Sequence, residues 1–235
     1  MTTRGLGRRP CVNSNPEPKQ RSLWLPELTS LWRAGWANFR RRWWVILIAV
    51  CFGVAVIYLQ NGQDRAWLKQ IQSDDQTINA VAKAASSWGD WPGWVALGFL
   101  VWAAGAARRN FRWREAGLAC LLATLMAGIT INCFRPTMGR PRPYTEIPDG
   151  LYGPSLSHKY HAFMSGHTAA SFAAATALTI VTPSVGIPAL GGAALVGWSR
   201  MQLGKHHPSD VLVGGTVGVL WGWCFGRAAS RRQRK

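Results

Sequence analysis

Apolar residues along this chain gather into blocks, not into a period of 2 or 3.6. Six blocks are legible, at Trp43–Leu59, Trp91–Ala107, Glu115–Phe134, His167–Thr182, Gly186–Trp198 and Ser209–Gly226. Most run to about 16–20 residues, roughly enough for a helix to cross a ~30 Å hydrocarbon core. Fourteen Trp, many at block edges (Trp43, Trp44, Trp91, Trp94, Trp113, Trp198), suit an interfacial aromatic belt. The pattern predicts an all-α integral membrane protein, a six-transmembrane-helix bundle. Two amphipathic stretches flank the first block. Leu25, Leu28, Trp32, Trp36 and Phe39 recur at helical spacing with Arg33 and Arg40 between them. That predicts a helix over 23–42, either lying on the membrane face or packed under the bundle. Trp67, Leu68, Ile71, Ile78, Val81, Ala82 and Ala85 can share one face of a second interfacial helix between spans 1 and 2.

Charge orients the bundle. The formal net charge of +17 and pI near 11 invite a nucleic-acid reading, but the basic residues sit in short clusters at block ends. Eighteen of the 27 Lys and Arg fall before Trp43, in 108–114 and after Phe225, and three acids, Glu17, Glu27 and Glu115, lie on the same side. The other nine, with seven acids, lie on the opposite side. This is the positive-inside pattern, and it places both termini in the cytoplasm with no nucleic-acid partner. Residues 1–22 read as a disordered basic tail and 227–235 as a second one. The first block begins after 42 residues, too late for a cleaved signal peptide. Gly214, Gly218, Gly222 and Gly226, four apart, allow close helix approach. Packing within the chain is the preferred use of that stripe, so a homo-oligomer is not indicated. Five Cys without a CxxC pair read as small apolar packers.

Against this apolar background, Ser199–Asp210 packs Arg200, Lys205, His206, His207 and Asp210 into twelve residues. Ionisable groups beside a membrane segment are costly and need a reason. The alternation of spans brings this stretch to the same outer face as Arg135–Pro143 and Ser165–His167. Several Arg with few carboxylates suit a phosphate, whose oxygens match guanidinium forks. Ser165-Gly166-His167 opens a helix and offers backbone N–H groups to an anion. His206 and Asp210 are four apart, so a carboxylate can orient an imidazole. Such a neutral His can attack phosphorus while a second His protonates the leaving oxygen. Each residue also has a plainer reading: Arg135 as a snorkelling cation, Arg140–Pro143 as a stiff solvated loop, Ser165 and Ser209 as N-caps, His158 and His161 as ordinary loop residues. A zinc site from His158, His161 and His206 or His207 lacks the carboxylates that two-metal phosphatases need, so no metal and no cofactor is expected.

Three spacings here resemble a known family, the type 2 phosphatidic acid phosphatase superfamily of membrane lipid phosphatases. Its motifs are K-x6-R-P, P-S-G-H and S-R-x5-H-x3-D. Ser199-Arg200, five residues, His206, three residues and Asp210 match the third in full. Ser165-Gly166-His167 matches the second, with Met164 in place of Pro. Arg142-Pro143 ends the first, with Arg135 at the usual Lys position. The resemblance covers about 115–226, the expected catalytic core of a 43–226 transmembrane domain. It implies that His206 forms a phosphohistidine, that Asp210 orients it and that His167 is the general acid. Arg135, Arg142, Arg200, Ser165 and the Gly166 amide would hold the phosphate, without metal. Arg135 keeps the charge of the usual Lys but changes reach and geometry. Lys205 and His207 stand beside the site with no assigned role. The implied activity is removal of phosphate from a lipid headgroup at the outer face of a bacterial inner membrane. Candidate substrates are undecaprenyl diphosphate, phosphatidylglycerophosphate, phosphatidate and a lipid A phosphate. The alternatives are transfer of the phosphate to another lipid, or a non-catalytic lipid-phosphate binder on the same scaffold.

Overall fold

The structure is a computed structural model that describes residues 24–59 and 63–234; the tail expected over 1–22 lies outside the described residues. Among the described residues the chain forms nine α-helices and two short 3-10 turns, with no strand beyond one isolated bridge between Arg140 and His161. The helices are α1 (Trp24–Arg40), α2 (Trp44–Leu59), α3 (Gln63–Ile71), α4 (Gln76–Trp88), α5 (Trp91–Ala107), α6 (Phe111–Met138), α7 (Gly166–Val181), α8 (Pro183–Gln202) and α9 (Pro208–Arg232). Each of the six apolar blocks falls on one helix, α2 and α5 through α9. By length and composition α6 and α9 can each cross a membrane, and α1 with α2, bent by 54°, forms a third candidate. α5 and α7 are apolar but shorter, at 17 and 16 residues.

Several boundaries differ from expectation, each for a local reason. The stretch from 63 to 90 is not one helix. Asp75 breaks it by accepting the Thr77 and Ile78 amides at 2.7 and 2.9 Å, which starts α4 after the pause at 72–75. α8 extends from Pro183 through Arg200 to Gln202, well beyond the apolar 186–198. α9 continues six residues past the expected end at Gly226, so the start of the basic tail is helical. There Arg232 meets the buried Glu115 of α6 at 3.3 Å.

The core is the seam between α7 and α9. Ala169, Ala173, Ala174 and Ala177 on α7 are fully buried. A Cβ at Gly214, Gly218 or Gly222 would lie 2.3–2.5 Å from the Ser165, Ala169 and Ala173 carbonyl oxygens. The glycine stripe therefore joins two helices of one chain, as preferred from the sequence. α1 packs on the far end of α9 through a run of rings: Trp32, Trp36 and Phe39 from α1 with Trp221 and Phe225 from α9. Asn38 donates to the Cys224 carbonyl at 2.9 Å and Glu27 meets Arg114 at 2.6 Å. Of the two readings of α1, packing against the bundle has these contacts behind it. Cys120 and Cys224 are buried packers, whereas Cys51 and Cys133 are exposed.

Candidate active site

The end of the bundle opposite α1 collects the three polar stretches. α6 ends at Gly139, whose φ of +62° and lack of Cβ are both required, because a Cβ would collide with the Gly153 carbonyl. The chain then turns back beside 159–162. Arg142 N–H donates to the Lys159 carbonyl at 2.8 Å and Ala162 N–H to the Arg140 carbonyl at 3.0 Å. This lays the Arg140–Pro143 turn against the approach to α7. From the other side, α8 delivers Arg200, whose carbonyl accepts both the Lys205 and His206 amides at 3.0 and 3.2 Å. That fold of the chain brings His206 under the start of α9. All the residues expected to form the site except Lys205 converge here; Lys205 lies over the Tyr144 ring at 4.7 Å.

His206 is 1% exposed. Its Nδ1 is 2.7 Å from the Ala162 carbonyl oxygen, which can only accept, so Nδ1 carries the proton and Nε2 keeps its lone pair. Burial pushes the His206 pKa down to about 3, with Asp210 acting in the opposite sense, so the ring is neutral at neutral pH. A neutral, oriented imidazole is the form that can attack. The expected orienting role of Asp210 is thereby modified. Its Oδ2 is 3.8 Å from His206 Nδ1, longer than a hydrogen bond. Asp210 instead accepts the His207 amide at 2.8 Å and Arg140 Nη1 at 2.6 Å.

Arg140 is the residue that reading the loop as solvated missed. It is fully buried and donates five bonds: to Asp210 (2.6 Å), to Asp64 (2.8 Å), twice to Asp149 (2.6 and 2.8 Å) and to Ser209 Oγ (2.7 Å). Burial opposes its charge, but Asp210, Asp149 and Asp64 outweigh burial and hold it above its ordinary pKa. Asp64, from α3, also accepts the Ser209 amide at 3.1 Å and pairs with its hydroxyl. Asp64, Asp149 and His207 are close enough to suggest a cation site. Arg140 already takes both carboxylates, so a metal ion there would face a guanidinium at contact distance. His207, pushed down in pKa by burial, packs 3.7 Å from Asp149. His161 donates through Nε2 to the Ser155 carbonyl at 2.8 Å and His158 stacks edge-on against it, as ordinary loop residues do.

The other arginines have different surroundings. Arg135, Arg142 and Arg200 each bury an Nε–H that has no hydrogen-bond partner. Among the described residues none of the three has a carboxylate at ion-pair distance. Arg135 reaches the Met164 carbonyl at 3.3 Å, and Arg200 reaches Ser86 Oγ. Gly166 makes room for this: a Cβ there would stand 2.5 Å from Arg135 Nη2. Ser165 spends its hydroxyl on the α7 cap, 2.8 Å from Thr168 Oγ1 and 3.4 Å from the Thr168 amide. What it presents to an anion is the N-terminus it caps. His167 faces a cavity of about 440 Å³ with Arg135, Asn132, Trp91 and Asp90. Asp64, Asp90 and Ser86 precede the matched motifs by 45 residues or more, and no spacing in the sequence marks them.

A family profile for the PAP2 superfamily matches residues 116–234, half of the chain. The chain belongs to the PAP2 superfamily. Two Rhizobium proteins, from R. johnstonii and R. etli, each named lipid A 1-phosphatase, are 27% identical over 106 and 110 residues. Those matches cover 44% and 46% of this chain, and it spans under half the length of either relative (43% and 46%). Among solved structures, a transmembrane PAP2-type phosphatidylglycerolphosphate phosphatase from Bacillus subtilis superposes with a TM-score of 0.62 at 22% identity. The match covers 81% of this chain and 94% of the other. Aquifex aeolicus LpxE gives 0.51 at 24% identity, covering 68% and 92%. Both share the fold. With the apolar helices, they place this PAP2 chain among membrane proteins.

Proposed function

We propose that this chain is a metal-independent membrane lipid phosphatase working through a phosphohistidine. One observation carries the reading: three arginines with orphaned Nε–H groups surround two histidines, one held neutral with Nε2 free. The arginines take the phosphate oxygens. His206 Nε2 gives its lone pair to phosphorus as the bond to the leaving oxygen breaks, and the electron pair of that bond stays on oxygen. His167, charged as imidazolium once the phosphate anion is bound beside it, gives its proton to that oxygen. Water then attacks phosphorus from the vacated side and passes a proton back to His167. The N–P bond returns its electrons to His206, and inorganic phosphate departs. Asp210 places its negative charge beside the imidazolium character that develops on His206.

The bundle is read as six spans (α2 and α5 to α9) with both termini cytoplasmic, α3 and α4 at the outer surface, and the site facing outward on a bacterial inner membrane. The domain limits expected from the sequence go with that reading. A lipid A phosphate, phosphatidylglycerophosphate, phosphatidate and undecaprenyl diphosphate are the substrates to test; the names of the Rhizobium and Bacillus relatives support the first two. The purified protein is expected to release phosphate from at least one of them in EDTA, with His206→Ala slowed on the order of 10⁴-fold or more. Phosphorylated acceptor lipid without free phosphate would replace hydrolysis by transfer. No turnover of any lipid would leave only a binder, and a His206→Ala as active as wild type would overturn the phosphohistidine. Zinc-rescued loss in EDTA would overturn metal independence.

A further inference from the structure

The matched motifs leave one polar neighbour of His167 unassigned. Asp90 caps α5, accepting the Trp91 amide at 2.9 Å, and its Oδ1 lies 3.6 Å from His167 Nε2. The two side chains share the cavity that opens beside the phosphate clamp, where Leu125 and Ile129 supply an apolar wall and Asn132 a polar one. Four charged groups face His167: Arg135 from α6, Arg142 from the turn after it, Arg200 from α8, and Asp90 from the head of α5. Three are the cations that would hold phosphate, and each opposes a protonated imidazole. Asp90 alone favours it. A general acid has to arrive protonated, so the clamp and the acid make opposite electrostatic demands at the same place. A carboxylate 3.6 Å from the imidazole, in the same cavity as the clamp, reconciles them. Asp90 is 59% exposed at its side chain, so a proton can reach this corner from water.

The same charge bears on what leaves. A phosphomonoester of a lipid alcohol departs as an alkoxide unless it is protonated, and the alcohol is then neutral. A lipid diphosphate departs as a lipid phosphate, an anion whose second pKa is ~6 and which needs the proton far less. Beside Asp90 the neutral alcohol meets no repulsion, whereas the anion does. We propose that Asp90 fits this site to phosphomonoesters of lipid alcohols over lipid diphosphates, as a positioning residue that holds the His167 proton at the leaving oxygen. This rests on the phosphatase reading and narrows it to one substrate class.

The test compares wild type with Asp90→Asn and Asp90→Glu on three substrates in detergent: farnesyl phosphate, farnesyl diphosphate, and p-nitrophenyl phosphate, whose leaving group departs without a proton. Asn caps a helix as well as Asp does, so Asp90→Asn keeps α5 intact; an unchanged unfolding midpoint confirms it. Wild type is expected to release the first phosphate faster from farnesyl phosphate than from the diphosphate. Asp90→Asn is expected to lose about 10–100-fold on farnesyl phosphate, with a loss at least tenfold smaller on p-nitrophenyl phosphate. The monoester-to-diphosphate ratio falls in parallel, and Asp90→Glu recovers part of it. An equal loss on all three substrates, an unchanged ratio, or a wild-type preference for the diphosphate overturns the assignment of Asp90 while leaving the phosphatase reading in place. A wild type inactive on all three, in a preparation that also fails on the lipid panel, overturns both.

Discussion

Arg140 and Arg142 stand two residues apart in one turn and have opposite surroundings. Every donor of Arg140 is spent inside the protein, on three carboxylates and a hydroxyl. Arg142, together with Arg135 and Arg200, keeps a buried Nε–H unpaired and has like charges for neighbours. Around Arg140 carboxylates outnumber the cation; around His167 and His206 cations outnumber the carboxylates. Asp210 belongs to the first group and acts electrostatically on Arg135 in the second, so the two regions balance across His206. The difference separates two uses of a costly charge. A buried cation with all its partners is structure, and one left without them is a site for an anion.

Breaking each region separately is the sharpest way to test that distinction. Arg140→Ala strands three carboxylates and is expected to cost about 3–5 kcal/mol, read as a lowered unfolding midpoint in detergent. Arg142→Ala, removing a cation with no carboxylate at ion-pair distance among the described residues, is expected to leave the midpoint nearly unchanged while phosphate release falls about 10²–10³-fold. Equal effects on stability from the two variants would erase the contrast. The apolar seam beneath both regions sets a reference. Gly218→Val pushes a side chain into the Ala169 carbonyl and the α7 backbone and is expected to cost about 1–3 kcal/mol in the same melt.

The smallest expected effect is on pH. The folded pKa of His206 is about 3, below the ~6.5 of an unfolded His. Between those values the unfolded chain binds a proton that the folded one refuses. The stability from a neutral His206 is thus fully present above ~6.5 and is lost as pH falls toward 3. From pH 7 to 5.5 the loss is expected to be about 1 kcal/mol, with His207 acting in the same direction. His206→Asn should flatten part of that slope. A stability that rises on acidification would mean that His206 is charged in the folded protein.

Much of this was legible in the chain because the signals are local. A block of apolar residues specifies a buried or lipid-facing helix wherever it packs, and each of the six blocks falls on one. The glycines of α9 point at close packing because their spacing alone puts them on one face. Arg135, Arg142, Arg200, His167, His206 and Asp210 were recognisable by order and spacing. Arg140 was not, since a guanidinium in a Pro-rich turn reads the same whether it is solvated or buried; only the carboxylates around it decide. Asp64 lies 76 residues from Arg140 in the chain and 2.8 Å from it in space.

The sequence by itself therefore determined the apolar helices, the membrane class, the family and the side chains proposed to react, because periodicity, composition and spacing act within a turn or a motif. Only the tertiary structure decided which cations are spent and which are free. It made the Ala162 carbonyl, not Asp210, the hydrogen-bond partner that fixes the His206 tautomer, and it set Asp90 beside His167. Those outcomes depend on contacts between groups 9 to 145 residues apart in the chain, which the fold brings within 4 Å.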